Sequence, residues 1–292
     1  MSIAIIANPY AGKGRSKKVA EQVTLKLRDK DVDFEIFFTD YPKQAVELAS
    51  QAAEKHEIIA ALGGDGTINE VLTGMLNSKS QLAIIPGGTG NDYARGLNIP
   101  TNPDDALEVI LQRHSVKMDV IKERSRNFGV VSTIGFPSTV LDYVNSHRDS
   151  FFKGSIVFTA AIIKTIHDLK VHPINITIDG ETRQHSVVGV ILMNMPYGGG
   201  GLMFAPNARY NDGYISVVII KELKRLELMK TLPLVYFGKH VNHPKVEIIQ
   251  CRRVSITADE SLLKTFDGEL ESFTPFDAVI HPQAVSVITN FN

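Results

Sequence analysis

The sequence predicts an α/β fold: a doubly wound parallel-sheet domain followed by a mainly antiparallel β domain. Three observations predict it. Over the first 120 residues or so, short apolar runs alternate with helical patterns, the rhythm of a parallel sheet buried on both faces. After about residue 122 the rhythm changes to short strands separated by turn residues. Glycine-rich loops follow several of the early apolar runs, at the carboxyl ends of strands, where open α/β sheets bind their ligands.

Ile3 to Ala7 reads as a buried strand, and the helix after it gathers Val19, Val23 and Leu27 on one face. Phe34 to Phe38 is a second strand. Pro42 is expected to open the next helix, which brings Ala45, Leu48, Ala49 and Ala52 together. Ile58 to Leu62 is the third strand, and Ile68, Val71, Leu72, Met75 and Leu76 form the clearest amphipathic helix. Leu82 to Ile85 is the fourth strand, Asn102-Pro103 caps a further helix, and Val116 to Ile121 is the fifth strand. In the second half, Asn175 to Ile178 runs into Asp179-Gly180, a hairpin signal. Val187 to Met193, Tyr214 to Ile220, Val254 to Thr257 and Val285 to Thr289 are further strands, with helical stretches near Phe151–Leu169 and Glu222–Phe237. The expected division is residues 1–122 and 123–281, with about 282–292 as a candidate to return to the first domain.

A chain of 292 residues accommodates two domains at about 100–200 residues each. With 43% hydrophobic and 22% charged residues it is too apolar for disorder, and a net charge of -1 disfavours a nucleic-acid partner. The single cysteine, Cys251, excludes an intramolecular disulfide and a cysteine-built zinc site, and fits a reducing compartment. The N-terminus lacks a basic flank and reaches Asn8-Pro9 too early for a signal peptide. Ile156 to Ile163 falls far short of the roughly 20 apolar residues of a membrane span. A cytoplasmic protein without a membrane crossing is therefore expected.

Three loops carry the chemical signal: Asn8-Pro9-Tyr10-Ala11-Gly12-Lys13-Gly14, Gly63-Gly64-Asp65-Gly66-Thr67, and Pro86-Gly87-Gly88-Thr89-Gly90-Asn91-Asp92. Glycine lets backbone approach phosphate oxygens, and free amides at the next helix start favour negative charge. Asp65 would repel a phosphate unless a cation intervened, and Mg2+, held by one or two carboxylates plus phosphate oxygens, resolves the conflict. None of the loops satisfies the Walker A or full dinucleotide fingerprint. Each alone could be a tight strand-to-helix turn; three at one sheet edge argue for a phosphate site.

The second and third loops together resemble the catalytic domain of diacylglycerol kinases and related lipid kinases. Ala205-Pro206-Asn207-Ala208, Asn211-Asp212-Gly213-Tyr214-Ile215 and Phe266-Asp267-Gly268-Glu269 look like the later motifs of the same family, so the resemblance spans essentially the whole chain. It is greatest to the soluble bacterial diacylglycerol kinases and their phosphatidylglycerol-kinase-like relatives. The resemblance implies transfer of the γ-phosphate of ATP to a lipid hydroxyl, in a cleft between two domains, by a cytoplasmic enzyme peripherally associated with the inner membrane face. It implies that Asn8, Pro9, Tyr10, Ala11, Gly12, Thr39, Gly63, Gly64, Asp65, Gly66, Thr67, Ile68, Asn69 and Thr89 line the ATP site, with Asp65 near its Mg2+. Asp212 would hold a second, structural Mg2+ with the backbone carbonyls of Arg209 and Tyr214. Glu269 would be the proton acceptor, supported by Asp267, with Asp92 and Asp119 as further acidic residues.

Plainer readings stand beside these. Asp212-Gly213 and Asp267-Gly268 are also ordinary turn dipeptides, with Glu269 a solvated strand residue. Gly198 to Gly201 reads as a flexible connection. Phe151 to Ile166 and Lys221 to His240 mix apolar and basic residues as membrane-surface segments do, and equally as helices packed on the β domain. A soluble-metabolite kinase of the NAD-kinase type and an inactive nucleotide-binding sensor are the rival functions. A homodimer is a candidate assembly.

Overall fold

The computed structural model describes residues 2–124, 126–146, 155–260, 262–266, 269–272 and 275–290. The chain divides into two compact units: residues 1–119 with 283–292, and residues 120–282.

Unit 1 alternates strand and helix: β1 (Ser2–Ala7), α1 (Arg15–Asp29), β2 (Asp33–Phe38), α2 (Gln44–Ala52), β3 (Ile58–Gly63), α3 (Asp65–Met75), β4 (Gln81–Pro86), α4 (Asp92–Gly96) and α5 (Pro103–Gln112). The strands lie in the order β4-β3-β1-β2, all parallel, with Ile3 opposite both Phe34 and Ile58 and Ile58 opposite Gln81. The path from β1 to β2 runs one way along the sheet; the path from β2 to β3 crosses back over β1. Right-handed crossovers then place α1 and α2 on opposite faces, so the order reverses between β1 and β3. The helices after these two adjacent strands diverge there, leaving a crevice at the strands' carboxyl ends. Val19, Val23 and Leu27 of α1 pack with Ile3, Ile5, Ala7 and α5 in one core, while α2 and α3 pack on each other.

Local chemistry sets the element ends. Asn102 caps α5 by accepting from the Asp104 N–H at 2.9 Å, with Pro103 in the first turn. Pro42 does not open α2. The helix begins at Gln44, behind Lys43 at φ 70, because the Asp40 N–H donates to the Gln44 side chain and holds the chain in a turn across Pro42.

β5 (Ser115–Glu123) leads out of unit 1. Unit 2 follows with β6 (Arg126–Phe128), β7 (Val131–Gly135), α6 (Phe136–Ser146), α7 (Ser155–Thr165), β8 (His172–Ile178), β9 (Glu181–Met193), β10 (Tyr197–Gly198), β11 (Leu202–Met203) and β12 (Ile215–Lys221). It continues through α8 (Arg225–Val235), β13 (Val246–Cys251), β14 (Arg253–Ala258), β15 (Leu263–Phe266), β16 (Glu269–Ser272) and β17 (Phe276–Ile288). Strand pairing within unit 2 is antiparallel, in a β-sandwich. β9 is the shared strand: its first half pairs with β8, its second with β7 and β12. β17 pairs with β14 at its start, and its end, which belongs to unit 1, runs parallel to β4. The β8–β9 turn is the expected Asp179-Gly180 pair, both with positive φ (47 and 96), as a two-residue hairpin needs. Gly198 to Gly201 is not a loose connection. Gly199, Gly200 and Gly201 take positive φ and close a small hairpin in which Tyr197 faces Met203.

One apolar core draws on the unit's strands, including Ile134, Ile176, Leu192, Val217, Ile256 and Phe276. Cys251 lies in it, and burial pushes its thiol up to about 12, with the Asp179 charge adding to the effect. Among the described residues no helix is long and apolar enough to cross a membrane.

A buried ion pair crosses this core. The Lys264 ammonium of β15 lies 3.4 Å from Glu123, with both side chains almost fully buried, and within 5.0 Å and 5.8 Å of the Phe266 and Phe276 ring centres. Breaking a buried pair costs about 3–5 kcal/mol when it strands a charge; here Arg124 Nε, half-exposed, lies 3.7 Å from the same Glu123 oxygen and offsets part of that cost. Lys264→Met should therefore lower the unfolding free energy by about 1–3 kcal/mol in urea titration, and adding Glu123→Leu should recover most of the loss.

Candidate functional site

The three loops converge at the carboxyl edge of the unit 1 sheet, where the strand order reverses. Their mutual contacts are closer than side chains permit. A Cβ on Gly88 would lie 2.5 Å from Gly64 Cα, and one on Gly12 would lie 2.2 Å from the Gly87 carbonyl oxygen. These glycines therefore serve loop-to-loop packing. Gly66 and Gly14 differ: both are exposed, and a Cβ on either would meet nothing within 4 Å, Gly14 taking a φ of 85 and Gly66 an ordinary one. They are the loop glycines open to an outside ligand, and at Gly66 a side chain could be added without backbone strain.

Hydrogen bonds tie the loops together. Asn8 Nδ2 donates to Thr67 Oγ1 at 3.3 Å, and Asn8 Oδ1 accepts from the Tyr10 N–H at 3.0 Å, so this side chain spans the first and second loops. The Gly87 N–H donates to the Gly63 carbonyl at 2.8 Å, joining the second loop to the third. Asn91, at φ 54, accepts from the Gly88 N–H and donates to the Gly88 carbonyl, closing the third loop on itself. Tyr93 Oη donates to Asn69 Oδ1 at 3.0 Å. Thr39 is buried, its N–H bonded to the Ala7 carbonyl at 2.9 Å.

Asp65 is the first residue of α3, and its Oδ1 accepts from the Tyr93 N–H at 3.0 Å. Burial pushes its carboxyl above the ordinary carboxylate range, while the N–H groups of Tyr93, Asp92 and Asn91 pull it back down. Among the described residues no lysine or arginine pairs with it. A desolvated carboxylate held only by amides suits a cation ligand.

Gly14 and Gly64 stand just before α1 and α3, and neither helix carries a side-chain cap. The first turn of α1 is closed by its own loop, since the Arg15 and Ser16 N–H groups donate to the Gly12 and Ala11 carbonyls at 3.4 Å and 3.3 Å. The start of α3 lies beside the convergent loops, where first-turn amides favour phosphate. Tyr10, Thr89 and Gly66 are exposed around them, while Pro9, Ala11 and Gly12 are half-buried. Gly63, Thr67 and Ile68 are buried and brace the loops from below. Ser16, in the first turn of α1, was given no role by sequence. Its buried hydroxyl sits where a Cβ on Gly87 would be 2.2 Å away, and it has no hydrogen-bond partner among the described residues. Its position directly after the first loop was the available signal. Asp119 plays a structural part, since its buried Oδ1 accepts from the Gln283 N–H at 2.7 Å.

In unit 2, Asp212 Oδ1 accepts from the Tyr214 N–H at 3.0 Å and Oδ2 from Gln250 Nε2 at 3.2 Å, so the residue does form the plain turn. Its carboxylate is a hard-oxygen donor, the chemistry Mg2+ takes. Among the described residues no three His, Cys, Asp or Glu side chains gather as a metal cluster. Glu269 opens β16, its backbone opposite Phe266. Asp267, Gly268 and the side chain of Glu269 lie outside what the structure describes.

Residues 2–123 match the diacylglycerol kinase catalytic domain, and residues 129–289 match the YegS C-terminal NAD kinase beta sandwich-like domain. The diacylglycerol kinase of Staphylococcus carnosus (strain TM300) is 29% identical over 288 residues, covering 98% of this chain and 94% of the relative. A crystal structure from Bacillus anthracis str. Sterne matches at a TM-score of 0.85 and 27% identity, covering 99% of this chain and 95% of that one. A diacylglycerol kinase structure from the same strain matches at 0.78 and 25%, covering 99% and 97%. Fold and matches together define a kinase, an ATP-dependent phosphotransferase with an alcohol group as acceptor. The chain belongs to the diacylglycerol kinase family, in the form that carries a YegS-type C-terminal domain.

The two kinds of glycine should separate in experiment. Gly88→Ala must push against backbone, and overpacking of this sort costs about 1–3 kcal/mol. Gly66→Ala meets open space and should leave stability unchanged or slightly raised, yet weaken nucleotide binding. Urea denaturation and ATP titration of both variants check this.

Proposed function

We propose that this kinase transfers the γ-phosphate of ATP to the free hydroxyl of diacylglycerol, giving phosphatidic acid. The observation that carries the reading is the convergence of three loops and the uncapped start of α3 on one sheet edge, in a chain of this family. In this reading the amides at the start of α3 hold the phosphates, with Gly66 at the closest approach. Asn8 to Gly12, Thr39, Gly63 to Asn69 and Thr89 shape the nucleotide site. Asp65 holds the Mg2+ that accompanies ATP; that ion would neutralise charge on the transferring phosphoryl group.

Glu269 orients the lipid hydroxyl and accepts its proton, with Asp267 in support. Phosphoryl transfer runs through a loose transition state, so much of the benefit comes from positioning. Asp212, with the carbonyls of Arg209 and Tyr214, holds a structural Mg2+. The acceptor is drawn from a membrane, so the enzyme works at the bilayer surface without crossing it.

The direct test incubates the purified chain with γ-labelled ATP and a lipid extract, with diacylglycerol, phosphatidylglycerol and NAD as separate acceptors. Label in phosphatidic acid is expected; label only in phosphorylated NAD would establish a soluble-metabolite kinase instead. Glu269→Gln should lower kcat by about 10²–10⁴-fold and leave ATP affinity nearly unchanged. Lost ATP affinity with normal kcat would make Glu269 a nucleotide or metal ligand.

Asp212→Asn keeps the turn's acceptor oxygen and removes the charge. A chelator should lower the melting temperature of the wild type and leave that of Asp212→Asn in place. Equal destabilisation of both would argue against a metal at Asp212.

A further inference from the structure

We propose that α8 docks the protein on an anionic lipid bilayer through the face it turns to solvent. The surface is defined by its own side chains; only its purpose rests on the lipid-acceptor reading.

Thr231, Leu232 and Val235 of α8 are buried against unit 2. On the opposite side stand Leu226, Met229 and Pro233, and one turn beyond the helix, Phe237. Steps of three and four residues align them in a single stripe. Leu226 is 62% exposed, Met229 46% and Phe237 72%, and Leu234 flanks them at 38%. A surface helix normally presents polar residues on this side. Pro233 sits inside the helix, where proline ordinarily costs about 3 kcal/mol, and its exposed ring adds to the stripe. Beside the helix end, Thr159 of α7 bonds the Tyr236 hydroxyl at 2.6 Å, and α7 carries a further exposed apolar residue, Ile163.

Charge selects the occupant. Residues 221–240 hold five basic residues, Lys221, Lys224, Arg225, Lys230 and Lys239, against two acidic ones, in a chain whose net charge is -1. Lys230 lies within the stripe, Lys224 and Arg225 precede it, and Lys239 follows it. Apolar residues ringed by cations match the bilayer interface, where the stripe enters the acyl boundary and the cations meet anionic headgroups. A second copy is a poorer partner, because a two-fold contact would set these like charges against one another.

The test is vesicle pelleting of the full chain with phosphatidylcholine alone and with phosphatidylcholine mixed with phosphatidylglycerol. Wild type should pellet with the anionic vesicles, less so as salt shortens the screening length below about 8–10 Å. Leu226→Glu with Phe237→Glu should weaken that binding by at least about a hundredfold, since the two side chains together lose about 3 kcal/mol or more of burial. Lys230→Gln should weaken it about fivefold, at about 1 kcal/mol per cation. The melting temperature should stay put. Turnover of a dispersed short-chain diacylglycerol should be unchanged, while turnover of vesicle-embedded diacylglycerol falls. A double variant that pellets like wild type overturns the proposal. So does one that keeps vesicle binding but loses self-association by light scattering, which would make the stripe a contact between copies. A wild type that pellets with anionic vesicles but phosphorylates no lipid supports the surface and overturns the lipid-kinase reading.

Discussion

At the carboxyl edge of the unit 1 sheet, three loops approach one another at distances only glycine allows. Gly12 lies under the Gly87 carbonyl, and Gly88 lies against Gly64, each too near for a Cβ. The approach follows from topology. Because the chain reverses direction between β1 and β3, their helices leave on opposite faces and the loops are left facing one another. Close packing then fixes where the starts of α1 and α3 stand; the first loop closes the start of α1 through the Gly12 and Ala11 carbonyls. Asn8, Asn91 and the Gly87–Gly63 bond hold what the packing brings together.

The same packing explains the unusual position of Asp65. Its carboxylate is drawn under the start of the next loop and bonded by backbone amides, so it is desolvated yet lacks a basic partner among the described residues. A group in that state is a poor contributor to stability by itself and a good anchor for a cation. Unit 2 solves a related problem differently. Its buried Lys264 and Glu123 neutralise each other between aromatic rings, on the strand that leads to the Asp-Gly-Glu segment. Lys264 and Glu123 are paired within unit 2, whereas among the described residues no lysine or arginine pairs with Asp65.

Much of unit 1 was legible because a buried parallel strand and an amphipathic helix leave different periodicities. Val19, Val23 and Leu27 repeat at helical spacing and are buried; Ile58 to Leu62 is uniformly apolar and central. Caps were legible where a side chain makes them, as at Asn102, and misread where a tertiary or turn contact does, as at Pro42. The run Gly198 to Gly201 looked slack because four glycines leave no pattern, while the structure uses three of them at positive φ to close a hairpin. In α8 the stripe on either side is apolar, so composition showed two uses for it. Only burial showed that Leu232 and Val235 face inward while Leu226 and Phe237 face out.

Taken alone, the sequence determined the fold class, the three loops and the residue types able to hold phosphate and metal. Those are local properties, written in spacing and in glycine, asparagine and aspartate at strand ends. Tertiary structure decided which glycines face a neighbour and which face solvent, that Asp65 lies beneath the start of α4, and that Lys264 meets Glu123 across 141 positions of chain. Such facts depend on which strands lie side by side, and a reversal of strand order leaves no mark on the residues beside it.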